Sequence, residues 1–349
     1  TLDVKGEAEF ENTDVLINHG STAKIDNLTT YYDSKIYVVN DSKLEINNAE
    51  FDDGAHLIVK DSKLEIDKNA KFDDGAHLIV KDDSNTTING KLTVRDSGTI
   101  KIAKSNLNVG GVADFRDSAL VVQNGSKVMF GNNFTMKNGG AEKSIIILDN
   151  GSEINIKGDF ENHGVIYYGA SADSAPKITV DGKTTLKDTT EIGIYATSGD
   201  ILNLNQAVFL ESKEAIENEA TDENIYAMYF DPNNEDANEE GLVKYDQNII
   251  DAVLNLSKDG KKLLAQISMS DDMKNKLINE KIDFIAKSTQ TAGINLTAQD
   301  LDIITSLFTI EDAKGNGAVA TEGIKLANQA AKGNQEAAQI ISKTAQSIQ

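Results

Sequence analysis

The residues of this chain that could do chemistry are few: four histidines, two arginines, the serine of one Asp-Ser-Gly triplet, and an acidic turn written twice. Ser97 stands in Arg95-Asp96-Ser97-Gly98. A nucleophilic serine there would need a histidine base, an acid to orient it and a preformed oxyanion hole. The same Arg-Asp-Ser returns at 116–118. A nucleophile is not copied as a structural corner, so both read as corners. His19, His56, His77 and His163 fall in no HExxH or GxSxG pattern. Phe-Asp-Asp-Gly occurs at 51–54 and again at 72–75. Asp52, Asp53, Asp73 and Asp74 could offer oxygens to calcium, or form an ordinary Asp-Gly turn with solvated acids. The turn is the reading taken. Glycosidic cleavage would need clustered acids with Arg or Lys in a cleft. Arg95 and Arg116 instead lie one period apart beside Asp96 and Asp117, as a surface ion-pair ladder. Triplets such as Asn124-Gly125-Ser126 are turn chemistry. No catalytic residue, metal site or cofactor is assigned, and the chain is not read as an enzyme.

What would position these groups is a repeat. Residues 41–60 read DSKLEINNAEFDDGAHLIVK, and residues 61–81 read DSKLEIDKNAKFDDGAHLIVK. The extra residue falls between Ile66 and Phe72, so a corner there tolerates insertion. Self-similarity at this period marks a stacked architecture in which each unit buries its apolar face against its neighbours. Asp-Ser pairs recur at 33–34, 41–42, 61–62, 83–84, 96–97 and 117–118. Turn segments such as His19-Gly20-Ser21, Asn124-Gly125-Ser126 and Asn150-Gly151-Ser152 each lead into an alternation of apolar and polar residues. That alternation is a half-buried strand. In the copied unit Ala55, Leu57 and Val59 point inward, while His56, Ile58 and Lys60 point out. Later inward pairs are Leu92/Val94, Ile100/Ile102, Val128/Phe130, Ile154/Ile156 and Ile178/Val180.

Composition narrows the function classes. The chain carries a formal charge of −22 with no cysteine, no tryptophan and two prolines. Binding nucleic acid needs clustered basic side chains, so nucleic acid is not expected as a partner. An anionic membrane would repel the bulk of the chain. No apolar run is long enough to span a bilayer as a helix. The absence of cysteine fits a reduced cytosol or an exported bacterial protein equally. The chain opens on Thr1 with no visible signal peptide, so it reads as processed or as a piece of something longer.

Three regions follow. Residues 1–210 are short strands with no helix-length stretch between them. Parallel strands normally need helical crossovers, so these must wind into a coil. The fold expected is all-β: a right-handed parallel β-helix with a C-terminal helical segment. Residues 211–270 are an acidic loop and closing strands. Within them, 211–240 holds eleven acids against one lysine, and Lys258-Asp259-Gly260-Lys261 turns a hairpin or final rung. Residues 271–349 are expected to be helical, with Met273, Leu277, Ile278, Ile282 and Ile285 at helical spacing. Thr297-Ala298-Gln299-Asp300 there is close to a capping box.

The rung length, the Asn-Gly-Ser corners, the absent cysteine and Asn255-Leu256-Ser257-Lys258-Asp259-Gly260 before the last strands together resemble the passenger region of a classical bacterial autotransporter. The resemblance implies a β-helix, a closing segment, a helical stretch and then an outer-membrane barrel, which here would follow Gln349. Some passengers carry a serine protease, but Arg95-Asp96-Ser97-Gly98 lacks the first Gly of that motif. Self-associating adhesins and the vacuolating-cytotoxin group both fit. The expectation is a virulence-type adhesin, secreted or held at the bacterial cell surface. It would bind a host-cell surface or another copy of itself through repeated outward side chains, summed by multivalency. A toxin-like passenger and a polysaccharide-active β-helix enzyme are the alternatives. The expected binding face centres on Ile58 and Ile79, flanked by His56, His77, Lys60 and Lys81.

Overall fold

The computed structural model describes residues 1–140, 143–149, 151–171, 175–197, 207–230, 241–244 and 250–269. Thr1–Ser268 is one compact unit and Met269–Gln349 a second. The helical segment expected over 271–349 lies outside the described residues. The first unit is an all-β parallel solenoid of about nine turns, as the repeat requires.

A typical turn carries three short strands, because the chain alternates inward apolar with outward polar residues and breaks at Asp, Asn, Ser or Gly. In one turn these are Lys63–Ile66, Ala70–Phe72 and His77–Lys81. Stacked, the first two positions merge into a broad 19-stranded sheet, and the third forms a narrow 11-stranded sheet. Each rung hydrogen-bonds to the next along the stack, about 4.8 Å per step. The copied units align as expected: His56 pairs with His77, Leu57 with Leu78 and Ile58 with Ile79. The inserted residue also falls where expected. Lys63–Ile66 and Ala70–Phe72 both pair with the single strand Lys43–Phe51, so 67–69 loop out where the rung before has two residues.

Inward side chains form the core of the coil. Leu57, Val59, Leu78, Val80, Ile100, Ile102, Val128 and Ile178 are fully buried. Aromatics stack along the axis: the Phe51 and Phe72 rings lie 5.0 Å apart and nearly parallel, and Phe134 sits between Phe130 and Phe160. The corners before the broad sheet carry a second ladder. The backbone N–H groups of Ser42, Ser62, Ser84, Ser105 and Ser126 donate to the hydroxyls of Ser62, Ser84, Ser105, Ser126 and Ser152, at 3.1–3.2 Å. These donors are buried, and an unpaired one would cost about 1–3 kcal/mol. The serine type at each corner is thus set by the backbone of the rung before it.

Two expectations are corrected by the register. Ser97 and Ser118 are not equivalent. Arg95 pairs with Arg116 and Thr99 with Ala119, which leaves three residues on one corner against two on the next. Ser118 takes the place of Gly98 and is buried, whereas Ser97 is the exposed extra residue, at φ 66°. Nor is the start of the acidic stretch a loop. Glu217–Asn218 pairs with the strand at 184–186, and Ile225–Phe230 pairs with the strand at 191–196. Ile216, Ile225 and Ala227 enter the core. Their inward positions had been masked by the outward acids around them.

The coil ends by reversing direction. Leu242–Lys244 runs antiparallel to Ile225–Phe230. Ile250–Leu256 and Lys262–Met269 pair through the turn at 257–261, the hairpin the sequence indicates. Lys262–Met269 then lies antiparallel on Ala207–Ser212. It occupies hydrogen-bonding groups that an open parallel edge would offer to another chain.

Candidate functional site

The two sheets present different outer surfaces. On the broad sheet, outward lysines meet outward carboxylates from rung to rung. Lys43 bridges Glu45 at 2.5 Å and Glu65 at 2.9 Å, Lys71 meets Glu50 at 3.0 Å, and Lys177 meets Glu211 at 2.6 Å. Asn48 donates to Asn27, and Asn106 to Asn85. Exposed pairs of this kind contribute little each, but they leave this surface polar, with most of its lysines met by acids.

The narrow sheet differs. Its central outward column, read through the register, runs Leu16, Tyr37, Ile58, Ile79, Lys101, Val121, Ile147, Tyr167. All but Lys101 are apolar or aromatic. The column has two halves. From Ile147 onward it is closed: Ile147, Val165, Tyr167, Tyr195, Tyr226, Met228 and Leu242 pack into a second apolar cluster on the outside of the coil. Gly193 makes this possible. A Cβ there would come within 2.6–2.9 Å of Met228, Tyr167 and Tyr226, so only hydrogen lets the rings lie over the strand. Glu191 borders the cluster, paired with Lys143 and Lys244 and accepting from the Tyr226 hydroxyl. Burial pushes its carboxyl up, but the Lys143 and Tyr226 hydrogen bonds outweigh this and hold it below the usual range.

The other half of the column is open, with Leu16 63% exposed and Tyr37, Ile58 and Ile79 half-buried. All six residues singled out from sequence lie here on adjacent strands, His56–Lys60 and His77–Lys81. His56 and His77 stack at 4.7 Å between ring centres. Lys60 reaches Asp82 at 3.7 Å. The outward positions from Lys35 to Gln123 hold four lysines, two histidines and no carboxylate. Sequence inspection missed Leu16, Tyr37 and Val121, although each stands at an outward position of a readable alternation.

The histidine pair has a pH consequence. Burial holds both imidazoles below their ordinary value; the Lys35 charge lowers His56 further against a small opposing pull from Asp33, and His56 lowers His77. The unfolded chain therefore binds more protons once the pH drops below the 6.5 of a free imidazole. The pair leaves stability unaffected above that value and lowers it below. Urea midpoints for the native chain and a His56→Gln/His77→Gln variant, taken at about pH 7.5 and about pH 5, test this. The native chain should lose more between the two pH values than the variant; equal losses would remove the pair as the cause.

The remaining candidate groups disperse. Arg95 meets Asp114 at 3.6 Å rather than Asp96. His163 contacts Glu161 at 2.7 Å on its own corner. His19 sits in a turn at φ 56°. Asp52, Asp53 and Asp74 bring one oxygen each within 4.8 Å of one another, the one such acidic group among the described residues. Calcium takes six to eight oxygens, and three carboxylates here follow from one Asp-Gly turn stacking on its copy. Burial, then a hydrogen bond with Asp74, raises the Asp53 carboxyl. The Ser97 corner, the histidines and the arginines thus form no common centre, whereas the outward column of the narrow sheet forms a continuous surface. In comparison with known proteins, no family model, no curated protein and no solved structure matches this chain.

Proposed function

We propose that this chain is a contact protein, an adhesin-like β-solenoid passenger of the autotransporter type, displayed at or released from a bacterial surface. In this reading the coil is right-handed, as parallel crossovers generally are, and a barrel beyond Gln349 delivers it. Its partner is a host-cell surface or another cell, met through the open half of the narrow sheet. The observation that carries the reading is the apolar column Leu16, Tyr37, Ile58, Ile79, which is open at one end of the rod and closed by the chain's own side chains at the other. A chain that covers this column where it does not need it leaves the rest available for a partner. The surface is rigid and repetitive, so weak contacts sum along it.

The test is a Tyr37→Ser/Ile58→Ser/Ile79→Ser variant, compared with the native chain for attachment to target cells and for clumping of cells that display it. Attachment should fall about tenfold or more, since each lost contact of half-buried apolar area is worth about 0.5–1 kcal/mol. Circular dichroism should be unchanged, because none of the three enters the coil. Full attachment by a folded variant would sink the proposal. So would loss of all activity from one surface carboxylate outside this sheet.

A further inference from the structure

Resting on that contact reading, we propose a partner class for the open face: a linear polysaccharide bearing carboxylates. The first reason is charge. On a chain of −22, the broad sheet pairs most of its lysines with acids, Lys63 excepted, whereas Lys35, Lys81 and Lys101 on the narrow sheet form no ion pair among the described residues. Lys60 has only its 3.7 Å contact with Asp82. These four cations surround Tyr37, Ile58 and Ile79. A second copy applied face to face would bring two sets of outward cations together, so the strand face between its corner aspartates is better matched to an acidic partner than to a copy of itself.

The second reason is the backbone. The inner strands of this sheet give their N–H and C=O groups to the rungs above and below. A peptide laid along the face could not add a strand, and recognition falls to side chains alone. What they offer is a flat apolar ladder with the stacked His56 and His77 rings beside it. Sugar rings have apolar faces that lie on such a ladder, and a ring with its linkage is about as long as one rung step. A rigid sugar chain also loses less freedom on docking than a flexible acidic peptide. The carboxylates meet the lysines on either side.

The experiment measures binding of the whole chain to immobilised alginate, to neutral dextran and to poly-glutamate, at low and physiological salt. The expected result is binding to alginate that weakens with salt, none to dextran, and little to poly-glutamate. A Lys35→Gln/Lys60→Gln/Lys81→Gln/Lys101→Gln variant, shown folded by thermal unfolding, should bind alginate about tenfold less, each exposed charge contributing a fraction of that factor. Equal binding to poly-glutamate would overturn the sugar assignment in favour of an acidic protein segment. No binding to any polyanion, with attachment still lost in the Tyr37/Ile58/Ile79 variant, would overturn this inference and leave the contact function standing. Failure of both assays would remove both.

Discussion

Replacing Phe134 with alanine is expected to lower the stability of the solenoid by about 3–5 kcal/mol. Phe134 is 1% exposed. Its ring lies 4.3 Å from Phe130 and 5.4 Å from Phe160 in stacked geometry, and 5.4 Å edge-on from Phe115. Alanine removes three aromatic contacts and opens a cavity lined by rungs that cannot collapse, because their spacing is fixed by hydrogen bonds. The loss is a large part of the 5–15 kcal/mol that ordinary domains possess. In a solenoid each turn contacts only its neighbours, so hydrogen exchange should quicken first in Ala113–Arg116, Phe134–Lys137 and Phe160–Asn162. Phe134→Leu keeps most of the volume and should cost about 1.5 kcal/mol or less. An alanine variant losing under about 1 kcal/mol, or exchange quickening evenly along the coil, would show that the stack is not what holds these turns together.

How much of this was readable beforehand depends on what the sequence repeats. The 41–60 and 61–81 copies exposed the period, and with it the register of His56 on His77 and Leu57 on Leu78. Alternation gave the inward residues, because the side-chain period of a strand is two. The corner between Ile66 and Phe72 was readable as an insertion, since only a loop absorbs an added residue without turning the next strand inside out. Three things were hidden. The serine ladder was visible as Asp-Ser pairs, but those pairs belong to two kinds of corner. Ser42, Ser62 and Ser84 serve one, Ser34 and Ser118 the other, and Ser97 neither. Matching Arg-Asp-Ser letters joined Ser97 to Ser118, whereas the ladder joins residues by burial. The strands at 217–230 were hidden by charge, because outward acids dominate a composition count while Ile216, Ile225 and Ala227 sit inward. The length of the apolar column was hidden because its members differ in type: Tyr37, Val121 and Ile147 share a position with Ile58 and Ile79 only after the register is known.

Ile79 and Ile147 occupy the same outward column and should respond in opposite ways to the same change. Ile147 is 4% exposed in the closed cluster. Serine there forfeits about 1.5–3 kcal/mol of buried side chain and places a hydroxyl among Val121, Tyr167 and other apolar groups, at about 1–3 kcal/mol more. Ile147→Ser should therefore cost about 3–5 kcal/mol, read from the urea midpoint, with attachment altered only as far as folding is. Ile79 is half-buried, with Ile58 and Lys101 as its register neighbours. Ile79→Ser should cost about 1 kcal/mol or less, leaving the fold intact while attachment weakens. The contrast depends on the column being closed at one end and open at the other, not on the residue type, which is identical. Equal costs at the two positions would mean that the open half is as well packed as the closed half, and the face would then have nothing to offer a partner. Unequal costs, with attachment lost only at Ile79, separate the part of the column that stabilises the rod from the part that meets something outside it.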